Sequence, residues 1–164
     1  MWNKIILLVV ICLFGINQKA PNHIKVEQMD ISWEINKDII EFTATAPDDG
    51  WIAIGINSED NIIGANLYMI NVTKNGVLAE DFYVVSAGNP KPVEELGSKS
   101  RIINFSGEEI NGKTKVKFSI PTNNADDYHF NLKEGEKTWL VCAYSMEDEF
   151  DHHSRMRKHV KVIL

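Results

Sequence analysis

Turn signals recur along this chain at short, even spacing, and they separate runs rich in β-branched and aromatic residues. Asn36-Lys37-Asp38, Pro47-Asp48-Asp49-Gly50, Lys74-Asn75-Gly76 and Asn111-Gly112 are built from residues that preset or tolerate turn dihedrals. Between and beside them lie IIEFTATA (39–46), WIAIGIN (51–57), NLYMINVT (66–73), VLAEDFYVV (77–85) and TKVKFSIP (114–121). Runs of that length suit strands and are short for helices. No segment sustains the apolar period of a helix.

The pattern within the runs agrees. In 24–35, Met29, Ile31, Trp33 and Ile35 fall on one face. Val116, Phe118 and Ile120 alternate with Lys115, Lys117 and Ser119. Asn75-Gly76 predicts a hairpin joining 66–73 to 77–85, and Asn111-Gly112 one joining 101–110 to 114–121. KTWLVCAYS (137–145) reads as a buried strand, and 155–164 alternates again through Met156, Val160, Val162 and Leu164. Polar connections fill 86–100 and 122–136, the second with room for a short helical turn. The expected fold is all-β: an antiparallel, immunoglobulin-like β-sandwich of about nine to eleven strands. With 164 residues, one such domain accounts for the chain.

The first residues do not belong to that pattern. Lys4 precedes an uncharged apolar run, 5–16. One positive charge followed by such a run is the form of a secretory signal, and the run is short of the roughly 20 residues that span a bilayer. The expected organisation is a signal peptide over 1–20 and a single domain over 21–164, secreted or periplasmic, with no membrane span in the mature chain. Without Lys4 and Lys19 the balance is 15 basic against 23 acidic residues. That surface repels nucleic acid and anionic lipid, so neither is expected as a partner. Cys142 would be the one cysteine left, inside an apolar run, and reads as a buried inert thiol.

Chemistry concentrates in EFDHHSRMRKHV (149–160), where His152 and His153 stand between acidic and basic runs. Successive strand residues point to opposite faces, so a strand brings only one of these rings into a given pocket. Alternation with Met156, Val160 and Val162 puts His152 inside, whereas a turn at Asp151 would free both. A zinc or copper ion needs three or four converging ligands, which adjacent residues supply poorly. Asp48-Asp49 and Asp126-Asp127 lie in turn contexts, and no GxSxG or HExxH occurs. The residues point to a binding module rather than an enzyme, with wet surface as the plain alternative for both histidines.

GWIAIGI (50–56), IIGANLYMI (62–70), DFY (81–83), VKFSIP (116–121), WLVCAYS (139–145) and DEFDHHSRMR (148–157) resemble, in order and spacing, the DOMON domain family over roughly residues 25–164. The resemblance implies an extracytoplasmic β-sandwich that binds haem or a sugar. It also implies iron ligands in the haem-binding members: a methionine two residues before the glycine here numbered Gly64, and a histidine near the last strands. Ile62 stands at the methionine position, Asn66 replaces a following acid, and the histidine position falls on the pair, with His153 preferred. An isoleucine offers iron no electron pair, so Met69 or Met146 would have to supply the thioether, or a histidine-only haem results. Met69 also reads as strand core.

The leading expectation is therefore haem b held through His153 or His152, beside Ile62, Gly64, Trp51, Tyr68 and Met69. A membrane cytochrome or oxidoreductase would be its electron partner. Two other readings stand beside it. One is a carbohydrate or small-ligand module, with Trp51 and Tyr68 stacking and Asn66 and His153 hydrogen bonding. The other is a protein-interaction domain that has lost its ligand. Asn71-Val72-Thr73 and Asn104-Phe105-Ser106 are glycosylation sequons that matter only in a eukaryotic secretory route. The sequence leaves the host open, although a lone, short, exported module suits a bacterium.

Overall fold

The computed structural model describes residues 22–123 and 125–164; the expected signal segment lies outside them. Eleven strands follow in chain order among the described residues: β1 (Asn22–Val26), β2 (Met29–Asn36), β3 (Ile39–Pro47), β4 (Ile52–Asn57), β5 (Asn66–Thr73), β6 (Gly76–Ser86), β7 (Asn89–Pro92), β8 (Asn104–Glu109), β9 (Lys113–Pro121), β10 (Lys137–Tyr144) and β11 (Met156–Ile163). They form two antiparallel sheets, one ordered β1-β2-β3-β9-β8 and the other β11-β10-β4-β5-β6-β7. The fold is the expected all-β sandwich. Among the described residues no helix is long and apolar enough to cross a membrane.

The hairpins follow their turn residues. Thr73 is paired with Gly76, and Gly76 takes a φ of +125°, which a side chain resists. The β8–β9 turn uses Asn111 and Gly112, both with positive φ. Each hairpin then sets which face is buried. Ile31, Ile40, Phe42, Phe118 and Ile120 from one sheet meet Ile52, Ile54, Ile70, Leu140 and Cys142 from the other. Phe118 stacks on Phe42 at 5.4 Å and lies 5.5 Å from the Tyr68 ring. Each fully buried side chain of this size contributes about 1.5–3 kcal/mol over its exposed state. Cys142 is wholly enclosed here, and burial pushes its thiol up to about 12.

Three details depart from the expected strands. The run 24–35 is a hairpin, β1 and β2, turning at Glu27 with a φ of 55°. Glutamate seldom adopts that conformation, so nothing in the local sequence marks the turn. The connection 86–100 contains β7, whose Pro90 and Pro92 are tolerated because β7 is an edge strand. No helical turn forms among the described residues of 122–136.

A polar strap, buried at Asp81 and His129 and exposed at Asp126, ties two loops to β6. Asp81, on the inner side of β6, accepts hydrogen bonds from Asn66 Nδ2 at 2.6 Å and from the Arg101 backbone N–H at 2.8 Å. His129 reaches it through Nε2 at 3.1 Å and reaches Asp126 through Nδ1 at 2.7 Å. Ser98 Oγ and Arg101 Nη2 also donate to Asp126. Two long loops and β6 thus share one network.

Candidate functional site

The six-stranded sheet is apolar on both faces, which is why 51–57 reads as an almost unbroken apolar run. Its inner face meets the other sheet. Its outer face carries Trp51, Ala53, Leu67, Met69, Phe82, Val84, Val141 and Ala143, with Ile62 and Phe150 packed against them. Register arranges these in two rows across the strands. Ala53 lies opposite Ala143 of β10 and Met69 of β5. Gly55 lies opposite Val141 and Leu67, and Leu67 opposite Phe82. β4 thus carries the smallest pair, Ala53 and Gly55, and larger side chains such as Met69, Leu67 and Val141 rise on its neighbours. A hollow of about 480 Å³ results, within the roughly 300–1,000 Å³ of small-molecule sites.

One wall comes from the β10–β11 connection, 145–155. Trp51 N–H donates to Glu147 O at 3.1 Å, and Ser145 N–H to Trp51 O at 2.9 Å. Ser145 Oγ donates to His153 O at 3.3 Å, and Asn71 Nδ2 to Asp148 O at 2.6 Å. A turn closed from His152 N–H to Glu149 O at 3.1 Å brings Phe150 over the hollow, its ring edge-on to Phe82. Burial raises the Asp148 carboxyl above its ordinary value, and the charges of Glu149, Glu147 and Asp49 raise it further. The opposite wall is shaped by Asn57, whose Nδ2 donates to Asn61 O and Ile63 O and so folds the loop that presents Ile62.

Both histidines line the hollow, because the backbone there turns instead of continuing β11. Their surroundings differ. His152 Nδ1 lies 3.6 Å from Glu149 Oε2 and 3.7 Å from Asp151 Oδ1. Among the described residues, nothing hydrogen-bonds or ion-pairs with the His153 ring. Trp51, Ile62 and Met69 also line the hollow. Gly64 stands behind it with a φ of +83°, its N–H bonded to Val84 O. Tyr68 is a correction: β5 points it to the inter-sheet core, 3 % exposed against Phe118, away from the hollow. Asn66 is likewise committed inward, to Asp81 and Phe82 O. Met146 is exposed and its sulfur accepts from Arg155.

Sequence reasoning did not find the floor residues Leu67, Phe82, Val84, Val141 and Ala143, nor Phe150 and Arg157 at the rim. The floor residues alternate with core residues in the same runs, so strand period alone marks two faces without saying which holds a ligand. Among the described residues, no three His, Cys, Asp or Glu side chains stand together to hold a bare metal ion.

The fold is thus a two-layer β-sandwich with an apolar hollow on one outer face. The chain belongs to the DOMON domain family, whose model matches residues 25–145. That match ends at Ser145, ahead of both histidines. Two solved structures share the fold. The cytochrome b domain of pyranose dehydrogenase from Coprinopsis cinerea superposes with a TM-score of 0.62 at 9 % identity, over 82 % of this chain and 76 % of that one. The cytochrome domain of Myriococcum thermophilum cellobiose dehydrogenase does so with a TM-score of 0.60 at 7 % identity, over 88 % of this chain and 81 % of that one.

Proposed function

We propose that this chain is an exported DOMON module that binds haem b on the outer face of its six-stranded sheet and serves electron transfer or haem sensing. The observation that carries the reading is an exposed imidazole, His153, with no hydrogen-bond or ion-pair partner among the described residues, at the rim of a hollow walled by apolar side chains. The residues present fit the group. Trp51, Leu67, Phe82 and Val141 offer the apolar contact that a porphyrin needs, and Ala53 and Ala143 leave it space. His153 supplies a ring nitrogen, and Met69, on the floor, is the thioether within the hollow that Ile62 cannot be. Arg157 lines the same hollow with no carboxylate partner among the described residues, and suits an acidic substituent of the ligand.

Haem would supply a one-electron couple. The chain's own residues would orient the ring, exclude water and set the potential through ligand type and burial. No catalytic step is assigned to the protein. The electron partner would be a membrane cytochrome or an oxidoreductase; both structural relatives carry the name of a dehydrogenase of which they are the cytochrome domain. The carbohydrate reading has less support, because Tyr68 and Asn66 are turned away from the hollow. One feature still favours a polar ligand atom: Trp51 Nε1–H is buried in the wall without an acceptor among the described residues.

The test is a hemin titration of residues 21–164 followed by visible spectra. A Soret band, with sharp α and β bands on reduction, is the expected result. His153→Ala abolishes or shifts it, and His152→Ala leaves it largely in place. Binding no tighter than to an unrelated β-sandwich domain would sink the haem reading.

A further inference from the structure

We propose that Asn104 is an N-glycan acceptor whose sugar covers the bare outer edge of the five-stranded sheet. The proposal rests on the export reading and holds for a eukaryotic host, because such transfer requires the eukaryotic secretory route.

The two sequons are not equivalent in the fold. Asn71 is 4 % exposed, and its Nδ2, the atom a sugar would occupy, donates to Asp148 O at 2.6 Å. A glycan there would displace the loop that walls the hollow. Asn104 is exposed at the start of β8, opposite Ser119, and its amide has no hydrogen-bond partner among the described residues. Ser106, which completes the sequon, is exposed as well.

The edge itself supplies a reason for cover. β8 ends its sheet, so one side of its backbone pairs with no strand among the described residues. Such edges recruit strands from other chains unless guarded by charge or proline. The other three edges are guarded: β7 by Pro90 and Pro92, β11 by Arg157, Lys158 and Lys161, β1 by His23 and Lys25. On β8 the acids, Glu108 and Glu109, stand only at the far end. The near end is apolar and open, with Ile103 47 % and Phe105 48 % exposed. The sequon falls at the unguarded end. In the transfer, the oligosaccharide leaves a lipid-linked diphosphate donor. The sugar C1–O bond breaks, a C1–Nδ2 bond forms, and the amide proton departs as the lipid diphosphate is released.

The test is secretion of the full chain from a eukaryotic host, once with its own N-terminus and once behind a heterologous leader. Intact mass is measured before and after peptide-N-glycosidase. The expected result is one glycan, lost on digestion, absent from Asn104→Gln and Ser106→Ala, and retained in Thr73→Ala. Secreted wild-type protein without a glycan, or a glycan that survives Asn104→Gln, overturns the proposal. Retention of only the own-N-terminus form in the cytosol defeats the export reading, and with it the physiological modification, while the leader form still reports acceptor choice. Secreted Asn104→Gln protein is expected to self-associate at concentrations where the glycosylated chain sediments as a monomer. Equal sedimentation overturns the covering role.

Discussion

Gly50 shows how one atom can set the site. A Cβ there would lie 2.5 Å from Ser145 O and 2.7 Å from Glu147 N. Both are backbone atoms, so relief requires moving the connection that carries the histidines. Gly50→Ala is expected to destabilise by about 1–3 kcal/mol, the usual penalty of overpacking. A urea titration would show it as a lower midpoint with an unchanged slope; an unchanged midpoint would count against this account. The histidines, by contrast, were legible in the sequence as a pair but not as individuals. Their difference lies in Glu149 and Asp151 beside one ring and, among the described residues, no hydrogen-bond or ion-pair partner for the other, and the turn at 149–152 creates it.

β4 has two jobs that its alternation separates. Ile54 is fully buried between the sheets, while neighbouring Ala53 faces the hollow. Ile54→Ala is expected to cost about 2–5 kcal/mol, the range for truncating a core isoleucine. Ala53→Leu fills ligand space instead. It should abolish the hemin-induced Soret band while the denaturation midpoint stays near wild type. If both variants lose stability alike, the outer face is simply more core, and the ligand hollow is misassigned. The run 51–57 announced a central strand from its composition, yet both faces look alike there. The neighbours that distinguish them come from β5 and β10, which lie at different distances along the chain.

The Asp81–His129–Asp126 strap joins residues 48 positions apart in sequence, and it makes stability depend on pH. Burial alone would lower the His129 pKa. Hydrogen bonds and charge from Asp81 and Asp126 more than offset this and hold it above the ordinary 6.5. Arg101 Nη2, 3.3 Å from Asp126 Oδ2, and the buried Tyr68 are the other titratable neighbours. Burial likewise works to raise Asp126, but hydrogen bonds from Ser98, Tyr128 N–H and His129 bring it well below the usual carboxylate range. The histidine's contribution is complete below about pH 6.5 and fades as pH rises through the raised folded value. The contribution of Asp126 is present above about pH 4 and fades as pH falls. The strap therefore holds best between roughly pH 4 and 6.5. Unfolding free energies of the wild type and His129→Gln should differ most near pH 5 and converge towards pH 9; a constant difference would refute the linkage.

Strand period, turn residues and apolar content are local properties, so the runs along the chain were enough to settle the all-β class, the Asn-Gly hairpins and the burial of Trp33 and Cys142. Where an uncommon residue turned the chain, as at Glu27, even the local signal failed. Which of two apolar faces would stay open, where Tyr68 would point, and that His129 would meet Asp81 depended on register between distant strands. Those pairings exist only after the two sheets have formed and closed on one another, because side chains far apart in sequence acquire a common surface at that point and not before.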